Sequence, residues 1–285
     1  MLNCGLLKSF AMGVAAAMVS MAEAGEKVYW TTPTTIYRAN ADGSDVFAAV
    51  RPHVLYPQDV AADLLHGKVY WANGDNSLFR ANLDGSETEA VASFAVVNPF
   101  NVDRPLNVDV DAAAGKVYWR TFHGLLERAD LDGANRVTLH TIPVPSDSYL
   151  ASFTGLALDL AAGKVYWSVW IGNTDGYFQR ANLDGSNVET INFFSSDPLP
   201  QPIPSDVYRP GGMAVDSAAG KLYWTQYTHD ARPGRVRRAN VDGTNREDLV
   251  TIFDTPEAID VDPSGGLMYF SVTTQYPGGL VDRSG

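Results

Sequence analysis

The sequence predicts an all-β chain that folds as a six-bladed β-propeller. One observation is an aromatic phrase of the Lys-Val-Tyr-Trp type that occurs six times, the last two copies in altered form. A second is the spacing of its closing aromatic residue, which stands at positions 30, 71, 119, 167, 224 and 270. A third is the Asp-Gly pair that follows each of the first five copies. Repetition at this period indicates one supersecondary unit that is copied and stacked.

The third copy shows how one repeat becomes four strands. Its first segment alternates apolar and polar residues, as a half-buried strand does. The second is β-branched and aromatic, which is a strand composition, and small residues with a glycine separate the two. An Asp-Gly pair, which favours a hairpin because glycine accepts a positive φ, separates the third segment from the fourth. The predicted strands of this copy are 106–111, 116–119, 125–131 and 136–140.

A second motif ends the third strand of five copies and reads Arg-Ala-Asn/Asp-x-Asp-Gly, at 38–43, 80–85, 128–133, 180–185 and 238–243. Together with the aromatic phrase it resembles the class B repeat of the low-density lipoprotein receptor, called the YWTD repeat. The resemblance is clearest at Lys221-Leu222-Tyr223-Trp224-Thr225 and at Arg180-Ala181-Asn182-Leu183-Asp184-Gly185-Ser186. It extends over 25–285 and implies a six-bladed propeller of YWTD type that binds proteins rather than catalysing a reaction.

Two features depart from that family. The Asp that closes the YWTD motif and ties blades together in the family is absent from every copy; Thr32, Asn73, Thr121, Val169, Gln226 and Val272 stand there instead. A different tie between blades is therefore expected. The count of strands at the two ends leaves two alternatives: the first and last blades are incomplete, or the chain continues in a longer natural product.

The first 24 residues are predicted to be a secretory signal peptide that precedes the propeller at 25–285. Lys8 comes before an apolar run from Phe10 to Ala22, and 22–24 forms a small-x-small cleavage site. The alternative is that 15–21 forms the innermost strand of the first repeat. The apolar run is too short to span a bilayer, and no later run is longer, so no membrane span is expected. These features predict an exported protein, either secreted or held in the periplasm or cell envelope.

Composition narrows the classes of partner and reaction. A net charge of -12 speaks against binding to nucleic acid and to anionic lipid. The only cysteine, Cys4, lies inside the predicted signal, so the mature chain is expected to have no disulfide. The sequence contains no Gly-x-Ser-x-Gly elbow and no phosphate-binding glycine loop, and its five histidines form no metal-ligand spacing.

The connections between strands vary in length at only two places in the repeat. The closing aromatic residue and the Asp of Asp-Gly are separated by 12, 13, 13, 17 and 18 positions in successive copies. The link before the fifth copy is also long and extends over 193–211. In an antiparallel blade both variable connections open on one face, which is predicted to bind a protein or an extracellular polymer. The candidate binding residues there are Phe100, Arg104, Tyr149, Phe153, Trp170, Tyr177, Tyr208, Arg209, Tyr227, His229 and Arg232. Exposed aromatic and Arg side chains are usual interface anchors; the alternative is that they hold long loops in place.

A second hypothesis is a metal-dependent enzyme. A carboxylate recurs eight residues before the closing aromatic, at Asp63, Asp111, Asp159, Asp216 and Asp262. If these side chains ringed the central channel, their oxygen atoms would suit Ca²⁺. Six-bladed hydrolases of the lactonase group hold a divalent ion in this way. No other cofactor is expected. The alternative is that each Asp starts a turn by bonding backbone two residues on. A purely structural envelope component is a third possibility.

Overall fold

The computed structural model describes residues 3–4, 27–51, 53–94, 103–141, 151–152, 155–171, 177–191, 209–227 and 233–273. Within these ranges all regular secondary structure consists of β-strands, so the predicted all-β fold is confirmed. In chain order the strands are β1 (Asn3–Cys4), β2 (Lys27–Thr32), β3 (Thr35–Asn40), β4 (Phe47–Val50), β5 (Asp59–Asp63), β6 (Lys68–Asn73), β7 (Ser77–Asn82), β8 (Glu89–Ser93), β9 (Pro105–Asp111), β10 (Lys116–Thr121), β11 (Leu125–Asp130), β12 (Val137–Thr141), β13 (Ala151–Ser152), β14 (Leu156–Asp159), β15 (Lys164–Ile171), β16 (Tyr177–Asn182), β17 (Glu189–Ile191), β18 (Arg209–Asp216), β19 (Lys221–Tyr227), β20 (Gly234–Asn240), β21 (Glu247–Ile252), β22 (Thr255–Asp262) and β23 (Leu267–Thr273).

Five antiparallel blades follow one another along the chain. Blade 1 is β2 to β4, blade 2 is β5 to β8, blade 3 is β9 to β12 and blade 5 is β18 to β21. Blade 4 is β14 to β17, and the short β13 pairs with the far end of β15. The first strands of successive blades contact one another, so they form the inner wall of the ring.

The prediction of six blades is wrong in number. The described residues form five blades, and the sixth repeat adds only the hairpin of β22 and β23, to which β1 pairs in parallel. Among the described residues the sixth repeat supplies only its first two strands, and a four-stranded blade needs two more partners than that hairpin provides. Blade 1 has three described strands, and both alternatives for the ends of the propeller stay predictions.

The hairpin nevertheless closes the ring, because it packs between blade 5 and blade 1. On one side, Ile259 and Met268 share a buried cluster with Tyr223 of blade 5. On the other, Tyr269 packs against Val28 of blade 1. Six such clusters, each shared by neighbouring sheets, hold the hydrophobic core.

The repeated aromatic phrase builds these interfaces. Trp71, Trp119, Trp167 and Trp224 are fully buried, with 0% of each side chain's surface exposed. The tyrosines that precede them are also buried. Burial of this many large rings is the main apolar contribution to the core. The aromatic columns therefore pack between blades.

A recurrent polar contact ties neighbouring blades together. The hydroxyl of Tyr70 and the guanidinium of Arg80 both donate to the carbonyl oxygen of Leu131 in the next blade, at 3.3 and 2.7 Å. We call this pair of donors on one carbonyl the Tyr–Arg clamp. The same contacts, at 3.0 to 3.4 Å, recur as Tyr118 and Arg128 to Leu183, Arg180 to Val241, and Tyr269 to Ala41.

The Asp-Gly turn is the part of each blade that the clamp holds. In blade 3, Gly133 has a φ of +89°, and a Cβ added there would lie 2.0 Å from the carbonyl oxygen of Val91 in blade 2. The turn therefore rests directly on the outer strand of the preceding blade. Glycine is required both by the backbone conformation and by this close approach.

Candidate binding face

Strand direction decides the face on which each connection lies. Turns between first and second strands lie on the same face as the Asp-Gly turns, and the other two kinds of connection lie on the opposite face, which we call the insertion face. Its described segments are 33–34, 74–76 and 122–124 within blades, and 51, 53–58 and 253–254 between sheets. The longer connections 95–102, 142–150, 172–176, 192–208 and 228–232 join strands that end at this face and lie outside the described residues. The topology agrees with the prediction that the variable connections share one face.

Four predicted binding residues lie on strands that end at the insertion face in blades 4 and 5. Arg209 and Tyr227 are opposite one another on β18 and β19. Trp170 is on β15, opposite Ser152. Tyr177 begins β16 and packs against the core cluster between blades 3 and 4, which favours a structural role for this ring. The other candidates, Phe100, Tyr149, Phe153, Tyr208, His229 and Arg232, lie outside the described residues.

Sequence reasoning missed the link from blade 1 to blade 2, which presents Tyr56 to solvent. The side chain of Tyr56 is 61% exposed, although its backbone has a φ of +43°. This is the left-handed region, which costs a residue other than glycine about 1–3 kcal/mol. No length signal marks this link, and a positive φ at a tyrosine has no sequence signature.

Hydrogen bonds to both neighbouring turns hold that link in place. The N–H of Tyr56 donates to the carbonyl of Pro33 at 2.7 Å, and the N–H of Gly74 donates to the carbonyl of Leu55 at 2.7 Å. Asn73, at one of the positions where the family has Asp, accepts from the N–H of Leu55 at 2.8 Å. The exposed ring of Tyr56 is thus carried on a fixed backbone.

Two further aromatic side chains are exposed on the same face. Phe253 precedes the last hairpin and is 85% exposed. Phe122 lies in the turn of blade 3, where the guanidinium of Arg104 is 5.4 Å from its ring centre, so one predicted candidate does contribute to this surface. Single exposed apolar residues are common, but exposed aromatic rings beside Arg are the groups that anchor interfaces.

The five carboxylates considered as metal ligands have a structural role. Each accepts a hydrogen bond at 2.9 Å from the backbone N–H three residues on: Asp63 from His66, Asp111 from Ala114, Asp159 from Ala162, Asp216 from Ala219 and Asp262 from Gly265. The predicted bond from the N–H two residues on is present at Asp262, from Ser264 at 2.9 Å. The five carboxylates therefore close the turns opposite the insertion face. Within the described ranges, no group of three or more His, Cys, Asp or Glu side chains is placed to hold a metal ion.

Other carboxylates line the inner wall and join blades there. Asp59 accepts from the N–H of Val108 in blade 3 at 3.1 Å, and Asp109 accepts from the N–H of Leu158 in blade 4 at 3.0 Å. Burial raises the pKa of Asp59 to about 7 and that of Asp109 to about 6, against the hydrogen bonds that favour the charged forms. Burial also lowers the pKa of the nearby Arg120 to about 9. Sequence reasoning did not single out these residues because they occupy different repeat positions.

Comparison with known proteins gives local sequence similarity. No protein-family model matches the chain. A segment of 68 residues, 24% of this chain, is 40% identical to low-density lipoprotein receptor-related protein 5 of Mus musculus. The segment corresponds to 4% of that protein, so the chain spans only a small part of this relative.

Solved structures are similar over most of the chain. A chain of the nidogen/laminin complex has a TM-score of 0.61 and 16% identity, covering 92% of this chain and 85% of its own length. The putative TolB of Agrobacterium tumefaciens has a TM-score of 0.61 and 12% identity, with coverage of 88% and 87%. Hydrazine synthase of Kuenenia stuttgartiensis has a TM-score of 0.57 and 10% identity, with coverage of 86% and 70%. At these identities the similarity concerns the fold alone.

Within the described residues, no helix is both long enough and apolar enough to cross a membrane. The strand topology and these similarities together show that the chain is a β-propeller with a local relationship to a receptor-related protein.

Proposed function

We propose that the chain is an exported, non-enzymatic propeller of YWTD type that binds a protein or an extracellular polymer through its insertion face. The observation that carries the proposal is Tyr56. Its ring is 61% exposed on a backbone with a φ of +43°, and hydrogen bonds from the link to the neighbouring turns hold that conformation. Strained backbone that persists in a fold is concentrated at functional sites.

The other exposed rings and the names of similar proteins support the same proposal. Phe122 and Phe253 lie on the face that carries Tyr56, and Arg104 lies beside Phe122. One similar protein is named as receptor-related, and a similar solved chain belongs to a complex of two proteins, nidogen and laminin. The metal-dependent alternative has less support, since each of the five repeated carboxylates accepts a backbone hydrogen bond within its own turn.

Tyr56→Gly tests the proposal with a variant that is expected to fold. Glycine adopts a positive φ without strain, and the exposed ring contributes little burial, so the melting temperature should be unchanged or higher. The immobilised variant should nevertheless recover at least tenfold less of the partner that the wild-type chain captures from the native envelope or medium. A tenfold loss corresponds to about 1.4 kcal/mol, which is typical of an aromatic interface anchor.

Phe47→Ala is the matched control. Phe47 is 48% exposed but lies on the outer strand of blade 1, away from the insertion face. This variant should capture as much partner as the wild type. Equal capture by Tyr56→Gly and Phe47→Ala would refute the assignment of the binding face. Deletion of 197–208, in the long connection that the sequence indicated, gives a second test of partner capture, which the deletion should abolish.

Export is tested by N-terminal sequencing of the mature protein, whose first residue should be Gly25.

A further inference from the structure

The turns between first and second strands form a second exposed surface, on the side of the ring opposite the insertion face. We call this side the turn face; it also carries the Asp-Gly turns. Because the first strands form the inner wall, the turns that follow them lie nearest the channel, at 64–67, 112–115, 160–163, 217–220 and 263–266. A Cβ added at the last glycine of each of these turns would meet no atom within 4 Å. The described part of the chain therefore leaves open space at all of them.

Three leucines lie exposed in two of these turns. Leu64 and Leu65 in blade 2 are 46% and 69% exposed, and Leu160 in blade 4 is 45% exposed. The equivalent turns have only alanine or serine in blades 3 and 5, at 112–113 and 217–218, so the turn itself does not require a large apolar side chain. Blades 2, 3 and 4 are consecutive, and their first strands contact one another. The leucines and the alanines between them therefore form one apolar arc beside the channel.

Hydrogen bonds fix the backbone that presents the two leucines of blade 2. The carboxylate of Asp63 accepts from the N–H of His66 at 2.9 Å. The carbonyl of Gly67 accepts from the N–H of Leu83 at 3.0 Å, which joins this turn to the third strand of the same blade. A partner that covers the leucines therefore does not have to order the turn first, and such ordering is one of the main costs of binding.

Carboxylates surround the apolar arc. Each Asp-Gly turn exposes one aspartate further from the channel: Asp42, Asp84, Asp132, Asp184 and Asp242. The hydroxyl of Ser86 donates to the carboxylate of Asp84 at 2.6 Å and lowers the pKa of that group, so it is charged at neutral pH. The five carboxylates that close the inner turns lie buried beneath them.

Lysines on the same face reduce this negative charge but do not balance it. The lysines of the aromatic phrase bond to the Asn or Asp that ends the third strand, as Lys68 does to Asn82 at 2.6 Å. These five lysines face ten turn carboxylates. Arginines near the Asp-Gly turns are paired with glutamates, in the pairs Arg80–Glu89, Arg180–Glu189 and Arg238–Glu247. The turn face is therefore negative around an apolar arc.

We propose that the turn face is a second docking site, which binds a protein segment that presents apolar side chains flanked by Lys or Arg. The apolar side chains of the partner cover Leu64, Leu65 and Leu160, because contiguous exposed apolar surface favours association. Its basic side chains meet the aspartates of the Asp-Gly turns. A second copy of this chain would bring like charges together, and an anionic membrane would be repelled. The insertion face lies on the other side of the ring, so occupancy of one face leaves the other accessible.

Two synthetic helical peptides test the chemistry of this site on the full chain. One peptide has Leu on one face and Lys on the other, and the second has Glu in place of Lys. Fluorescence anisotropy should give a Kd for the Lys peptide that is roughly tenfold lower than that for the Glu peptide. An increase in NaCl from about 0.05 to about 0.5 M should weaken binding of the Lys peptide roughly fivefold, because salt screens exposed charges.

Leu64→Ala combined with Leu65→Ala removes the apolar surface of blade 2. The double variant has the residues of the equivalent turn in blade 3, so it should fold with the melting temperature of the wild type. Its Kd for the Lys peptide should rise about tenfold. Leu55→Ala is the matched control: Leu55 is also 46% exposed but lies on the insertion face, so this variant should bind the Lys peptide as the wild type does.

Absence of binding by the Lys peptide, or equal Kd values for the double variant and the wild type or for the two peptides, would overturn the proposal. Binding of the wild type but not of the double variant to phosphatidylcholine vesicles would assign the leucines to a membrane surface instead. A wild-type dimer that the double variant loses, measured by sedimentation velocity, would assign them to a second copy of the chain.

Discussion

Gly133→Ala tests whether the Asp-Gly turns hold the ring together. The substitution has two consequences in the structure. First, it places a residue other than glycine at a φ of +89°, which costs about 1–2 kcal/mol. Second, it places a methyl group 2.0 Å from the carbonyl oxygen of Val91, whereas an ordinary C···O contact is about 3.3 Å or longer.

The turn must therefore move by more than about 1 Å, and the clamp moves with it. The carbonyl of Leu131, two residues before Gly133, accepts from Arg80 at 2.7 Å. A displacement of this size breaks that charged hydrogen bond, which is worth about 1.5–3 kcal/mol. The expected loss in the free energy of unfolding is thus about 3–5 kcal/mol in total.

Gly115→Ala is the matched control, because Gly115 also has a positive φ, of +67°, but no atom lies within 4 Å of its added Cβ. It should cost only the backbone term of about 1–2 kcal/mol. Equilibrium denaturation by urea, followed by tryptophan fluorescence, measures both free energies. If the two variants were destabilised equally, contact between the turn and the preceding blade would not stabilise the ring.

Two further predictions concern buried carboxylates. Because burial raises the pKa of Asp59 to about 7 and of Asp109 to about 6, their contribution to stability is fully present below their ordinary pKa of 3.8 and is lost as the pH rises to about 7. Asp59→Asn should therefore flatten the dependence of melting temperature on pH from about 4 to 7; an unchanged profile would contradict it. The carboxylate of Glu127 accepts from the indole N–H of Trp119 at 2.9 Å and from the guanidinium of Arg136 at 2.6 Å. Glu127→Gln should be tolerated, because Gln179 fills this position in blade 4 and accepts from Trp167, whereas Glu127→Ala leaves the buried Trp119 N–H without its acceptor and should cost about 1–3 kcal/mol. Equal unfolding free energies for the two variants would refute this.

The sequence predicts the blade better than it predicts the ring. Strand positions, the Asp-Gly turns and burial of the aromatic columns follow from patterns within one repeat, and all are observed. The tie between blades could not be derived in the same way. The acceptor of the Tyr–Arg clamp is a backbone carbonyl such as that of Leu131, and any residue supplies one. The number of blades was wrong because a repeat count does not show whether the last repeat has all of its strands.

The sequence predicted which connections share the candidate binding face but missed Tyr56, which lies on it. Connection length indicated the face on which Tyr56 also lies, but it directed attention to long links, most of whose aromatic residues lie outside the described ranges. Tyr56 lies in a shorter link, and its exposure depends on hydrogen bonds to Pro33 and to the turn at Gly74. Such contacts arise only when blades 1 and 2 are brought together, so periodicity within a repeat contains no information about them.

The asymmetry between the two faces also has a structural cause. The Asp-Gly turns rest on the outer strand of the preceding blade, as Gly133 does on Val91, so an insertion there would separate blades. Connections on the insertion face that do not rest on a neighbouring blade can lengthen without that cost. Variable length is therefore expected on this face whether or not it binds a partner. Tyr56 provides a stronger argument, because constraints on blade packing explain where a loop can grow but do not explain a strained backbone that holds an aromatic ring in solvent.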